Sequence, residues 1–218
     1  MMVVVVASGE LASADARWLD VADLVVAADG GAASLHALGR RPDRLVGDLD
    51  STDANLVADL EADGVPVDRH PADKDATDTE LALDAAIGGG ATELVVLGAL
   101  GGGRIDHELA NLLLLADPRL ATIDAKIAHG ATRVRVVRAG GSARLSGASG
   151  DLVSLLPLGG DAHAVTTDGL RWPLAGATLR FGASRGVSNE ITTSPASVSL
   201  ERGLLVIVET SLEGAPQP

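Results

Sequence analysis

The chain has no cysteine and no tyrosine, only one phenylalanine and two tryptophans, and a single lysine, Lys74, before residue 126. Without thiols there can be no disulfide, no thiolate metal ligand and no cysteine nucleophile, and redox chemistry says nothing about compartment. Three aromatic residues leave no stacking platform for single-stranded nucleic acid. Long apolar runs are missing as well. Val3 to Ala7 is too short to span a bilayer and lacks the charged start and cleavage site of a signal peptide. The expectation is a cytoplasmic protein with no membrane partner.

What the chain does have is length and apolar content: 218 residues, 46% of them hydrophobic, enough for one large or two modest domains folded without staples. Its net charge of −13 is unevenly placed. Residues 1–125 hold 23 acids against 8 Lys and Arg, whereas residues 126–218 hold 7 against 9. So acidic a first half excludes a nucleic-acid backbone as partner, since that interaction depends on clustered cations. It suits a site that binds a metal.

Through residue 125 the pattern alternates. Apolar runs at Val3–Ala7, Leu24–Ala28, Arg44–Val46, Val65–Asp68 and Glu93–Leu97 read as strands. Between and after them lie amphipathic segments near 13–20, 32–38, 54–62, 78–87 and 105–116, several ending in glycine. Strand and helix in turn, with short loops, predict an α/β layer with a mostly parallel sheet, whose ligands bind at the carboxyl ends of the strands. From about residue 125 to 130 the texture changes. Seven short alternating or apolar runs, including separate strands at Leu152–Leu156 and Ala162–Thr167, predict a C-terminal all-β sandwich over 126–218. Residues 214–218 read as a loose tail.

On this frame the acids fall on one edge. Asp29 follows the second strand, Asp48 and Asp50 the third, Asp73, Asp75 and Asp78 the fourth, and Asp106 the fifth. Gly47-Asp48-Leu49-Asp50-Ser51 is by itself an ordinary Asp-rich turn. If extended, however, it puts both carboxylates on one side, a suitable cradle for magnesium. Like charges gathered at a rim repel one another, and a cation would make the gathering favourable. Lys74 could serve as a local ion pair or as a phosphate contact. Thr77 and Glu80 have the spacing of a capping box, which leaves Asp78 in the first helical turn free to face the site. Gly101-Gly102-Gly103-Arg104 is compatible with an anion-binding turn, while Asp106 and His107 could equally be partners of the following helix start. In the second half, Trp172 could be core or could stack on a flat cation, and Gly186 to Glu190 is polar and turn-like.

The ordered set Asp29-Gly30-Gly31-Ala32, Gly47-Asp48-Leu49-Asp50-Ser51, Lys74-Asp75-Ala76-Thr77-Asp78-Thr79-Glu80 and Arg104-Ile105-Asp106-His107 resembles the thiamine pyrophosphokinase family. Gly169-Leu170-Arg171-Trp172-Pro173-Leu174 and Val187-Ser188-Asn189-Glu190 resemble that family's thiamine-binding domain. The resemblance runs over essentially the whole chain. It departs from the family pattern in one additional glycine before Arg104 and in Leu49, where the family often has an aromatic residue.

The resemblance implies transfer of the diphosphoryl group of ATP to the hydroxyl of thiamine, with Mg2+ as cofactor. It implies a catalytic domain at 1–125, a thiamine-binding domain at 126–218, and a homodimer whose site lies between domains of different subunits. Asp48, Asp50 and Asp78 would hold the metal and the attacking hydroxyl, with Asp78 aiding its deprotonation. Lys74, Thr77 and Arg104 would contact ATP phosphates, Asp29 and Asp106 would support the nucleotide, and Trp172, Ser188 and Asn189 would meet thiamine. The alternatives are a related pyrophosphokinase acting on another alcohol such as a hydroxymethylpterin, or a non-catalytic nucleotide or thiamine sensor.

Overall fold

Val3 to Val6 have no exposed surface at all in the computed structural model, and that burial on both faces explains the run of valines. The structure describes residues 1–212 and 214, so the tail expected at 214–218 lies, except for Gly214, outside the described residues. The chain is α/β and divides into two units, Met1–His129 and one beginning at Gly130.

In the first unit, strands β1 (Met2–Val6), β2 (Leu24–Ala28), β3 (Arg44–Gly47), β4 (Val67–Arg69), β5 (Glu93–Leu97) and β6 (Asp124–His129) alternate with helices. These are α1 (Ala16–Val21), α2 (Gly31–Ala37), α3 (Ala54–Ala62), α4 (Asp78–Gly88) and α5 (Ile105–Leu114). The strands stand in the order β4-β3-β2-β1-β5-β6. Each pairing is parallel, as the strand and helix alternation predicts. Trp18, fully buried, packs in the core beneath this sheet with Leu35, Leu45 and Leu97. Lys126 Nζ and the Arg17 guanidinium lie 5.5 and 5.6 Å from its ring centroid. β6 was not apparent as a strand: its charged start, Asp124 and Lys126, breaks the apolar run.

The second unit is antiparallel. β13 (Arg202–Thr210) pairs on one side with β7 (Thr132–Arg138) and on the other with the first half of β9 (Leu152–Asp168). The far half of β9 pairs with β10 (Ala177–Leu179) and with β12 (Ala196–Ser199), which in turn pairs with β8 (Ser142–Leu145). The short β11 (Asn189–Glu190) pairs with the start of β9. The two strands expected at 152–156 and 162–167 are therefore one bent strand. Gly159 takes φ +72° where a turn was expected, and the register against β13 shifts opposite Gly203, at φ +96°. The glycines accommodate a bulge and the strand continues. Among the described residues no helix is long and apolar enough to cross a membrane.

Candidate active site

Because β2, β3 and β4 are neighbours running in one direction, the residues just past their carboxyl ends converge. Asp29 follows β2, Asp48 follows β3, and Asp78 opens α4 after β4. One carboxylate oxygen from each lies within 4.8 Å of the others. Gly47 makes the approach possible. At φ +151° a side chain there would be strained, and its Cβ would come within 3.0 Å of both Asp29 Cβ and Asp78 Oδ1. Three converging carboxylates form an all-oxygen donor set of the kind that suits a hard divalent cation such as magnesium. The residues fit that metal.

Lys74 reaches into the cluster. Its Nζ lies 2.6 Å from Asp48 Oδ2 and 3.0 Å from Asp78 Oδ1, with the three side chains only 13%, 14% and 24% exposed. The Lys74 hydrogen bond is the main cause that holds the Asp48 carboxyl below its ordinary range. Burial pulls the Lys74 ammonium down, but its hydrogen bonds to Asp48 and Asp78 outweigh that and leave it raised. Thr77 caps α4, accepting from Glu80 N at 3.2 Å, so the threonine half of the expected box is formed. The Glu80 carboxylate stands 3.8 Å from the Arg119 guanidinium.

The loop after β3 is not extended. Leu49 adopts φ +65°, a left-handed conformation that a branched aliphatic residue seldom takes, and it packs partly buried against the core of the first unit. The expected alternation is thereby broken. Asp50 N donates to Asp48 Oδ1 at 3.3 Å, and Ser51 Oγ donates to Asp50 Oδ1 at 2.9 Å. Asp50 is exposed and lies outside the three-carboxylate group, though it lines the same cavity.

That cavity, of about 410 Å3, also takes in Thr77, Arg104, His107 and Asn111. Arg104 and Asp106 form a bidentate pair, Nε to Oδ1 at 2.9 Å and NH2 to Oδ2 at 2.6 Å. The guanidinium holds the exposed Asp106 carboxyl well below the usual range. Glu108 Oε1 accepts from Gly101 N at 3.1 Å and ties the glycine turn to α5, while the buried Asn111 donates from Nδ2 to Ala99 O at 2.9 Å. Glu108 and Thr52, which donates to Asp29, take these roles through tertiary contact alone. A lone Thr after an Asp-rich loop carries no local signal.

In the second unit Trp172, Ser188 and Asn189 share a cavity of about 390 Å3. Trp172 is 56% exposed, with the Arg171 guanidinium 5.1 Å from its ring centroid and Arg171 paired to Glu190 at 2.9 Å. Asn189 is buried and clamps the Trp172 backbone, accepting from its N at 3.1 Å and donating to its O at 2.8 Å. Ser188, at φ +59°, donates from its backbone N to Ser154 Oγ at 3.1 Å.

Two family models match the chain: "Thiamin pyrophosphokinase, catalytic domain" over residues 16–127 and "Thiamin pyrophosphokinase, vitamin B1 binding domain" over residues 142–205. Among known proteins, the thiamine pyrophosphokinase of Bacillus subtilis is 26% identical over 194 residues, covering 89% of this chain and 90% of the relative. Its crystal structure superposes with a TM-score of 0.87 at 25% identity, covering 97% of this chain and 100% of that one. The thiamine pyrophosphokinase of Geobacillus thermodenitrificans gives 0.83 at 28% identity, covering 97% of this chain and 98% of that one.

Proposed function

Because the chain belongs to the thiamine pyrophosphokinase family, we propose that the acid rim is where it makes thiamine diphosphate and AMP from ATP and thiamine. The observation that carries this reading is the convergence of Asp29, Asp48 and Asp78, neutralised in part by Lys74, at the carboxyl ends of adjacent parallel strands. In-line phosphoryl-type transfer asks little covalent help from a protein; it needs an oriented alcohol and neutralised phosphate oxygens.

The thiamine hydroxyl oxygen attacks the β-phosphorus of ATP. The bond from that phosphorus to the bridging oxygen breaks, and AMP leaves with the electron pair. We assign the hydroxyl proton to the Asp78 carboxylate, which stands in the first turn of α4 with one oxygen 3.0 Å from Lys74 Nζ. Asp48 and Asp78, with Asp29 as third carboxylate and Asp50 on the open side, would hold magnesium. Magnesium supplies charge neutralisation on the phosphate oxygens when bound. Lys74 and Arg104 bind phosphate, with Asp106 orienting the Arg104 fork and Thr77 setting the start of α4. Trp172 offers a ring face to the cationic thiamine beside Ser188, and Asn189 works by clamping the Trp172 backbone.

The second unit, with its long shared strand β9, we read as a β-sandwich. The working unit we propose is a homodimer. Ile105, Leu109 and Leu113, 73%, 54% and 56% exposed and spaced i, i+4, i+8 on α5, support it as an apolar stripe that a second copy would cover. Sedimentation as a monomer at working concentration would remove the dimer. For the reaction, purified protein should release AMP only when thiamine, ATP and Mg2+ are all present, and a hydroxymethylpterin should not replace thiamine. Tight thiamine binding with no AMP under those conditions would leave a sensor in place of an enzyme.

A further inference from the structure

Asp29 is fixed at the rim from several directions. Its backbone takes φ +42°, its amide donates to Val46 O at 2.9 Å, and its carbonyl accepts from Ala32 N at 2.9 Å, so its main chain is pinned to both β3 and α2. Its side chain is reached from a third element. Oδ1 accepts from Thr52 Oγ1 at 3.0 Å, with Asp29 and Thr52 only 3% and 7% exposed. Thr52 closes the loop that carries Asp48 and Asp50, one residue before Asp53, which caps α3 through its own carboxylate. The helix start is thus already provided for, and the Thr52 hydroxyl is left to a different task.

We propose that Thr52 is a positioning residue for cation binding: by donating to Asp29 it sets that carboxylate against Asp48 and Asp78. The inference rests on the reading of Asp29 as one of the magnesium-binding acids. Groups that hydrogen-bond a metal-binding carboxylate orient it, and losing one typically weakens metal affinity by about tenfold or more. Without the hydroxyl a buried carboxylate oxygen loses its partner, and the side chain turns away from the cluster to find another. The same bond ties the loop after β3 to the loop after β2, so two of the three acids are set in place together.

The test is calorimetric titration of Mg2+ into nucleotide-free full-length protein, for wild type, the near-isosteric Thr52→Val, Thr52→Ser, Asp29→Asn and the Asp29→Asn/Thr52→Val double variant. Thr52→Val should weaken Mg2+ binding about tenfold, Thr52→Ser should restore it, and in the Asp29→Asn background Thr52→Val should add nothing. A folded Thr52→Val protein that binds Mg2+ like wild type overturns the proposal, as does the same loss whether or not Asp29 is present. Thr52→Ala repeats the comparison should the valine variant not fold. Failure of the wild type itself to bind Mg2+ would strike the metal reading, and is thereby distinguished from failure of the role given to Thr52.

Discussion

Lys74 bridges two carboxylates at once, and the consequence is a pH dependence of defined sign. Because the folded protein holds Asp48 below its ordinary range, chiefly through the Lys74 hydrogen bond, Asp48 contributes stability that is complete above its unfolded value and is lost as pH falls through the folded one. For Lys74, raised on balance, the contribution is complete below its unfolded value and is lost only as pH rises through the folded one. Acidification from about pH 6 to about pH 3 should therefore cost the wild type more unfolding free energy than it costs Asp48→Asn. Urea titrations of both proteins at the two pH values measure it; equal losses would mean that Lys74 does not bias Asp48. At this scale the sequence placed Asp29 and Asp48 just past apolar runs and Asp78 in the first turn of the helix after the fourth strand, while Asp50, expected beside Asp48 and Asp78, lies outside the three-carboxylate group. It did not show how they are held. Leu49 in a left-handed conformation and the Thr52 hydroxyl are set by packing and tertiary contact, and neither has a local signature.

Among the elements, the end of β3 leaves little room for a side chain beside its acids. Gly47 lies where a Cβ would press on both Asp29 and Asp78, at a φ that side chains rarely adopt. Gly47→Ala should cost roughly 1–3 kcal/mol of stability through backbone strain. Turnover should fall by at least about tenfold, since about an ångström of misplacement at a reacting centre is enough for that. A thermal melt together with steady-state AMP release tests both. An alanine variant with wild-type turnover would show that the acids tolerate moving apart. The parallel order of β1 to β5 was legible because valine-rich runs alternate with helical segments. β6 was obscured by its charged start, and β9 was divided into two because Gly159 and Gly160 read as a turn when only a bulge is needed.

Over the whole molecule, the change in charge and texture near residue 125 anticipated that the chain is built from two kinds of unit. The acidic one carries the carboxylate cluster, and the other carries Trp172, Ser188 and Asn189 in a cavity of their own. What composition could not supply was which tryptophan is free. Trp18 has no exposed surface, whereas Trp172 is 56% exposed, and no tyrosine competes with either. The protein therefore carries its own optical reporter: emission from Trp18 should be blue-shifted and shielded, and emission from Trp172 red-shifted and open to acrylamide. Thiamine should alter the red component and protect it from the quencher, and Trp172→Phe should abolish that response while leaving the blue band. A thiamine-induced change that survives in Trp172→Phe would move the substrate away from this ring.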